Sequence, residues 1–188
     1  MKTNETVKPL YYRLIVNSYD PVGGVLYAPE EWPYPIAEDG VEVKDWQSLV
    51  VELRDGKYSP FHMCIGGANM VSEELKELLE SYIEDKDSVE FLPVKAVSGK
   101  YGNRTYYIMH FTKIFDVIDR EKTVYVPGTD DIIKVRLDYE KVKNLNVFNS
   151  QPYINDVIVS AEVRKSMKKN KLDGGLQFTP VYCGYQIE

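Results

Sequence analysis

His62 and His110 are the only histidines in this 188-residue chain, so any imidazole base or ligand must be one of them. Neither lies in an H-x-E, H-E-x-x-H or C-x-x-C arrangement. A lone histidine in an aromatic strand is expected to be a hydrogen-bonded core residue. Cys64 and Cys183 stand 119 positions apart among apolar and aromatic neighbours. That setting suits two small buried hydrophobes better than a metal or redox pair, with a disulfide left open. Asp116 and Asp119 in FDVIDR are spaced i, i+3 and could approach for acid–base or metal work, a hydrolase reading. Such work needs a third ligand or a converging cleft, and turn formation or capping is the simpler role. Gly99-Lys100-Tyr101-Gly102 lacks the G-x-x-x-x-G-K-[ST] spacing of a phosphate loop and sits in a hairpin context. Gly66-Gly67 precedes a helix start where an anion could bind, but acids along that helix oppose it. No Ser-His-Asp or Cys-His pattern occurs. The chain therefore reads as a non-enzyme, with no cofactor and no metal.

Composition points the same way. The apolar fraction is 44% and the charged fraction 28%, ordinary for a folded globular protein. With 23 basic against 29 acidic residues the net charge is −6, which argues against nucleic acid as a partner. The N-terminus MKTNETVKPLYYRLIVN has no uninterrupted apolar stretch, and no run approaches the length of a membrane span. A cytoplasmic protein without a membrane partner is expected, its oligomeric state left open.

Elements that must position these residues follow from periodicity. Leu10 to Val16, Trp46 to Leu53, Pro60 to Ile65, Val89 to Val97 and Arg104 to Ile114 read as strands. TVYV and Asp131 to Leu137 follow as extended segments, then a polar section from Asp138 to Gln151. Alternation in the fifth strand puts Tyr106, Ile108 and His110 on one face and Tyr107, Met109 and Phe111 on the other. Ser72 is a candidate N-cap, and Leu75, Leu78, Leu79, Tyr82 and Ile83 fall on one stripe of an amphipathic helix.

A phrase recurs. VSEELKEL followed by VEFLPV returns as VSAEVRKS followed by LQFTPV, with the two serines, Ser72 and Ser160, 88 positions apart. That period is too long for a solenoid, and two copies are too few. The expected fold is α+β, a single domain over residues 1–188 of mainly antiparallel sheet. Its two similar helix–strand units, about residues 71–97 and 159–183, pack pseudo-symmetrically, and a Pro-rich part spans 1–45. Asp173-Gly174-Gly175 is expected to stop the second helix, and the proline of F-x-P-V to sit at a strand edge or bulge.

The copies share cap and stripe but differ in charge. The first carries eight acids between Ser72 and Glu90, whereas the second carries Arg164, Lys165, Lys168, Lys169 and Lys171. Glu77 and Glu80 on the acidic helix are therefore candidate partner contacts. Glu30, Glu31, Trp32 and Tyr34 in the Pro-rich stretch join them, since aromatics supply contact area at low entropic cost.

The order VSEELKELLE, VEFLPVKAV, YYIMHFTKIFDVIDREKT and VIVSAEVRKSMKKNKLDGGLQFTPV resembles the family of immunity proteins numbered eleven in bacterial polymorphic-toxin systems. The resemblance covers roughly Leu53 to Val181. It implies a small cytosolic protein that binds and neutralises a cognate toxin domain, with no catalytic residues; the acidic candidate face suits a basic one. The alternative is a small-molecule or peptide-binding module using a groove between the repeat halves.

Overall fold

The computed structural model describes residues 10–17, 25–28, 40–63 and 68–184. Cys64, Gly66, Gly67, Glu30, Glu31, Trp32 and Tyr34 lie outside them. Strands β1 (Tyr11–Val16), β2 (Val25–Tyr27), β3 (Leu49–Asp55), β4 (Phe61–Met63) and β5 (Asn69–Ser72) precede helix α1 (Glu73–Glu80). Next come β6 (Val89–Val97), β7 (Arg104–Phe111), β8 (Val124–Tyr125), β9 (Ile132–Lys134) and β10 (Arg136–Leu137). The short helix α2 (Tyr139–Val142), β11 (Val147–Ser150), β12 (Tyr153–Ser160), α3 (Ala161–Lys169) and β13 (Leu176–Cys183) complete the order. A six-stranded sheet runs β2-β3-β6-β7-β5-β4, a five-stranded sheet β10-β13-β1-β12-β11, and β8 pairs with β9.

Among the described strands pairing is antiparallel except for β3 with β6 and β10 with β13, and an isolated parallel bridge joins Phe115 to Ser150. Within the larger sheet β5 and β6 flank β7, and α1 connects them; in the smaller sheet β12 and β13 flank β1, and α3 connects them. Both prolines of the F-x-P-V phrase fall in inner strands. Pro93 pairs with Tyr107 one residue ahead of the first β6 residue that β3 meets, Val94. Pro180 pairs with Tyr12 two residues ahead of Tyr182, the first met by β10. Each missing N–H thus lies where the parallel neighbour has not yet begun.

Alternation explains the three buried clusters. One face of each sheet meets α1 and α3 in a shared core of Tyr12, Leu14, Val71, Leu75, Leu79, Met109, Phe111, Val157, Val159, Val163 and Met167. The reverse face of the larger sheet buries Met70, Leu92, Val94, Tyr106 and Ile108 under Trp46 and Tyr58. The reverse face of the smaller sheet buries Tyr11, Ile158 and Val181 against Val117, Leu137 and Phe148. The two sheets form one domain because both helices insert into the same core.

Each helix begins on its serine. Ser72 and Ser160 adopt nearly the same extended backbone, φ −67°, ψ 166° and φ −68°, ψ 163°. Each hydroxyl accepts from the N–H three residues on, Leu75 and Val163, at 3.3 Å. An N-cap serine replaced by alanine typically costs about 1 kcal/mol, so Ser72→Ala and Ser160→Ala are each expected to lower the unfolding free energy by that amount, read as a lower urea midpoint at unchanged slope.

Several boundaries depart from the periodicity. β3 starts at Leu49 because the Trp46 indole N–H donates to the Pro93 carbonyl at 3.0 Å, which holds it outside the ladder. β2 and β5 are three- and four-residue strands whose pairing comes from β3, β4 and β7 rather than from local pattern. The polar section from Asp138 to Gln151 contains α2, capped by Asp138, and the fully buried β11. Helix α3 ends at Lys169, ahead of Asp173-Gly174-Gly175, where Lys171 takes a left-handed φ of 58°.

Candidate functional site

Both histidines are structural. His62 is fully buried; its Nε2 accepts the Ser59 N–H at 2.9 Å, and its ring meets Tyr106 edge-on at 5.2 Å. The Tyr106 hydroxyl closes this knot by donating to the Ser59 carbonyl at 2.7 Å. His110 Nε2 lies 2.7 Å from the Val41 carbonyl, so it is the nitrogen that carries the proton. Asp116 and Asp119 are held by different cations. Arg120 approaches Asp116 at 3.2 Å, while the Lys122 ammonium sits 2.7 Å from Asp119. The hydrogen bond from Lys122 keeps the Asp119 carboxyl below its usual range. Burial, with Asp138 nearby, pushes the Cys183 thiol up to about 11, far from a reactive thiolate at neutral pH. Among the described residues no group of three or more His, Cys, Asp or Glu could hold a metal ion. Among them, too, no helix is long and apolar enough to cross a membrane.

The acidic surface of α1 is built outward from its cap. Glu73 and Glu74 occupy the first turn, where the helix dipole favours carboxylates. Glu74 is held below its normal range by a backbone hydrogen bond at its own N–H and by the Ser72 hydroxyl. The Tyr107 hydroxyl donates to Glu73, which pushes that phenol up to about 12. Lys76 lies 3.0 Å from Glu80 and 5.1 Å from the centre of the Tyr107 ring. Further along, Glu84 accepts from the backbone and side-chain amides of Asn146, and Asp85 pairs with Lys113 at 2.9 Å. Glu90 accepts the Val43 N–H at 3.0 Å.

The two described candidates therefore differ. Glu80 is half-buried and bound to Lys76, whereas Glu77 is exposed and points its charge to solvent. The stripe and charge runs were legible in the sequence, but their pairing was not, because Asn146, Lys113 and Val43 come from distant segments.

Helix α3 lies beside α1, joined by a 2.7 Å hydrogen bond between Tyr82 and Ser166 hydroxyls. The Arg164 guanidinium stacks over the rings of Tyr12 at 4.3 Å and Phe178 at 5.4 Å. Its Nε is buried without a hydrogen-bond partner. Lys168 sits 5.9 Å from the Phe178 ring, and Lys165 and Lys169 are exposed. Exposed Val124, Val126 and Ile133 on or beside the β8–β9 ribbon form an apolar feature that the sequence reading missed. The V-Y-V and I-I runs were its only signal. Surface hollows of about 410 and 550 Å³ lie at the β6–β7 turn and below the Pro127-Gly128 turn, neither at α1 or α3.

Mostly sheet, with few helices, this is an α+β protein. Residues 34–182 match the model of the Immunity protein family (Imm11), and the chain belongs to that family, whose general role is toxin neutralisation and whose partner is a toxin. A search of curated proteins found no match.

Proposed function

We propose that this chain neutralises one cognate toxin of a polymorphic-toxin system by binding it in the cytoplasm of the producing cell, without turning over a substrate. Family membership over residues 34–182 carries this reading. Glu77, exposed in the middle of the α1 surface, is the described acid best placed to meet a basic patch on that toxin. Glu80 contributes through its pair with Lys76. Glu30, Glu31, Trp32 and Tyr34 extend the contact, their two rings acting as anchors of the kind that dominate binding energy. Of these four, Tyr34 falls within the matched residues.

The frame behind this surface is two copies of one unit, packed pseudo-symmetrically. Support comes from the neighbour order and strand senses: β3-β6-β7-β5-β4 and β10-β13-β1-β12-β11 correspond strand for strand, each with one parallel pair at the same place. In the second unit the central strand is β1, contributed from before the first unit.

The test is co-expression with the toxin encoded beside this chain. Wild type is expected to restore growth and to co-purify with the toxin. Glu77→Lys is expected to slow association about tenfold at low ionic strength, an effect that shrinks near 0.5 M salt because exposed charges are screened. An association rate indifferent to both substitution and salt would remove α1 from the interface.

A further inference from the structure

We propose that the outer face of α3 is a second docking surface, one that takes an acidic segment of a protein partner with Arg164 as its anchor. The proposal rests on the reading that the chain works by binding a toxin. It adds that the toxin surface carries carboxylates opposite α3 as well as basic groups opposite α1.

Five cations, Arg164, Lys165, Lys168, Lys169 and Lys171, fall within eight residues of a chain whose acids outnumber its bases. Elsewhere Arg13, Lys76, Lys113, Lys122 and Lys143 are held in ion pairs, and the cations that are not, such as Lys95, Lys100 and Arg104, do not form so dense a run. None of the five from Arg164 to Lys171, four on α3 and Lys171 just past it, has an ion pair among the described residues, although Glu162 precedes them and Asp173 follows. The helix dipole accounts for Lys168 and Lys169 in the last turn, but not for Arg164 or Lys165 near its middle.

Arg164 is also preorganised. Tyr12 and Phe178 meet edge-on at 6.3 Å, and the guanidinium lies over both rings. Its Nε is out of water with no acceptor. A guanidinium fixed on aromatic faces loses little freedom when its remaining N–H groups take a carboxylate in a paired hydrogen bond. A carboxylate segment fits better than a phosphate chain, because the acids of α1 lie next door and the net charge of −6 repels a long polyanion. A second copy of this chain fits less well, since Glu73 and Glu80 of its α1, and Glu84 and Asp85 just past it, are already engaged.

Full-length protein is titrated with a ten-residue oligoglutamate peptide, with a ten-nucleotide oligodeoxynucleotide and with the neighbouring toxin domain. Backbone amide shifts and calorimetry are the readouts. Saturable shifts confined to α3 and its flanks are expected with the peptide. Lys165→Glu/Lys169→Glu, exposed substitutions that leave the core alone, and Arg164→Met, which keeps a stem on the rings, should each weaken peptide and toxin binding at least tenfold. Absence of α3 shifts, unchanged affinity in both variants or tighter oligonucleotide binding would overturn the proposal. So would a wild-type dimer in sedimentation that the double variant dissolves, because the face would then be a contact between copies. Peptide binding at α3 without any toxin binding would support the α3 surface while removing the toxin reading.

Discussion

Leu79→Ala is expected to destabilise the protein by about 3 kcal/mol, within the usual range for truncating a buried leucine. Leu79 is completely buried in the core shared by α1, α3 and both sheets. Its neighbours come from opposite sheets and are already interlocked, so the cavity has little room to close. Leu78, one residue away but only partly buried, provides the control, and its alanine variant should cost about 1 kcal/mol in proportion to the apolar area it covers. Urea melts measure both. A domain of ordinary stability has about 5–15 kcal/mol to lose, so Leu79→Ala should also reduce the folded protein in cells and weaken protection without touching the binding face. Equal costs at the two positions would mean that the common core is not the structural centre of the fold.

Stability is expected to fall by roughly 3 kcal/mol between pH 10 and 11, since each group that titrates only when unfolded contributes about 1.4 kcal/mol per pH unit. Three buried groups set this. Tyr11 donates to the Val142 carbonyl at 2.6 Å and Tyr106 to that of Ser59 at 2.7 Å, and burial raises both phenols above their normal value. The Cys183 thiol is pushed up to about 11, first by burial and then by Asp138. The unfolded chain releases these protons at lower pH than the native state does. Above pH 10 it therefore binds fewer protons, and stability decreases as pH rises. A phenolate facing a carbonyl oxygen would replace a hydrogen bond with repulsion, which is why the native state resists ionisation. Tyr106→Phe should remove about 1 kcal/mol of the alkaline loss, while costing about 1 kcal/mol at neutral pH for the missing hydrogen bond. Denaturant melts at pH 8, 10 and 11 test this, and an unchanged midpoint across the series would contradict it.

Local pattern was enough to place α1, α3, β1, β6, β7 and β13. A serine cap, a 3.6-residue stripe and two-residue alternation are properties of neighbours in the chain, and tertiary packing agreed with them. A hydrogen-bonded core role for His62 and His110 was also legible, because neither stands in a metal-ligand or triad spacing. Harder to see were β2, β5 and β11, strands of three or four residues whose existence depends on partners elsewhere. Asn149 and Ser150 in β11 are polar yet fully buried. Their segment is drawn inside by Phe148, which meets the Tyr11 ring at 5.6 Å.

By itself, the sequence determined that two helices would present opposite charge on matched frames, because cap, stripe and charge run are written in consecutive residues. Only the tertiary structure decided which of those charges remain available. Glu84 meets Asn146 across 62 positions and Asp85 meets Lys113 across 28, so much of the acidity that follows α1 is spent within the molecule. Arg164 is set on Tyr12 and Phe178 from strands at opposite ends of the chain, without a carboxylate beside it. Electrostatic pairing acts over a few ångströms of space and ignores separation along the chain, so the fold had to bring those segments together before the charge left for a partner could be told from the charge that holds the frame.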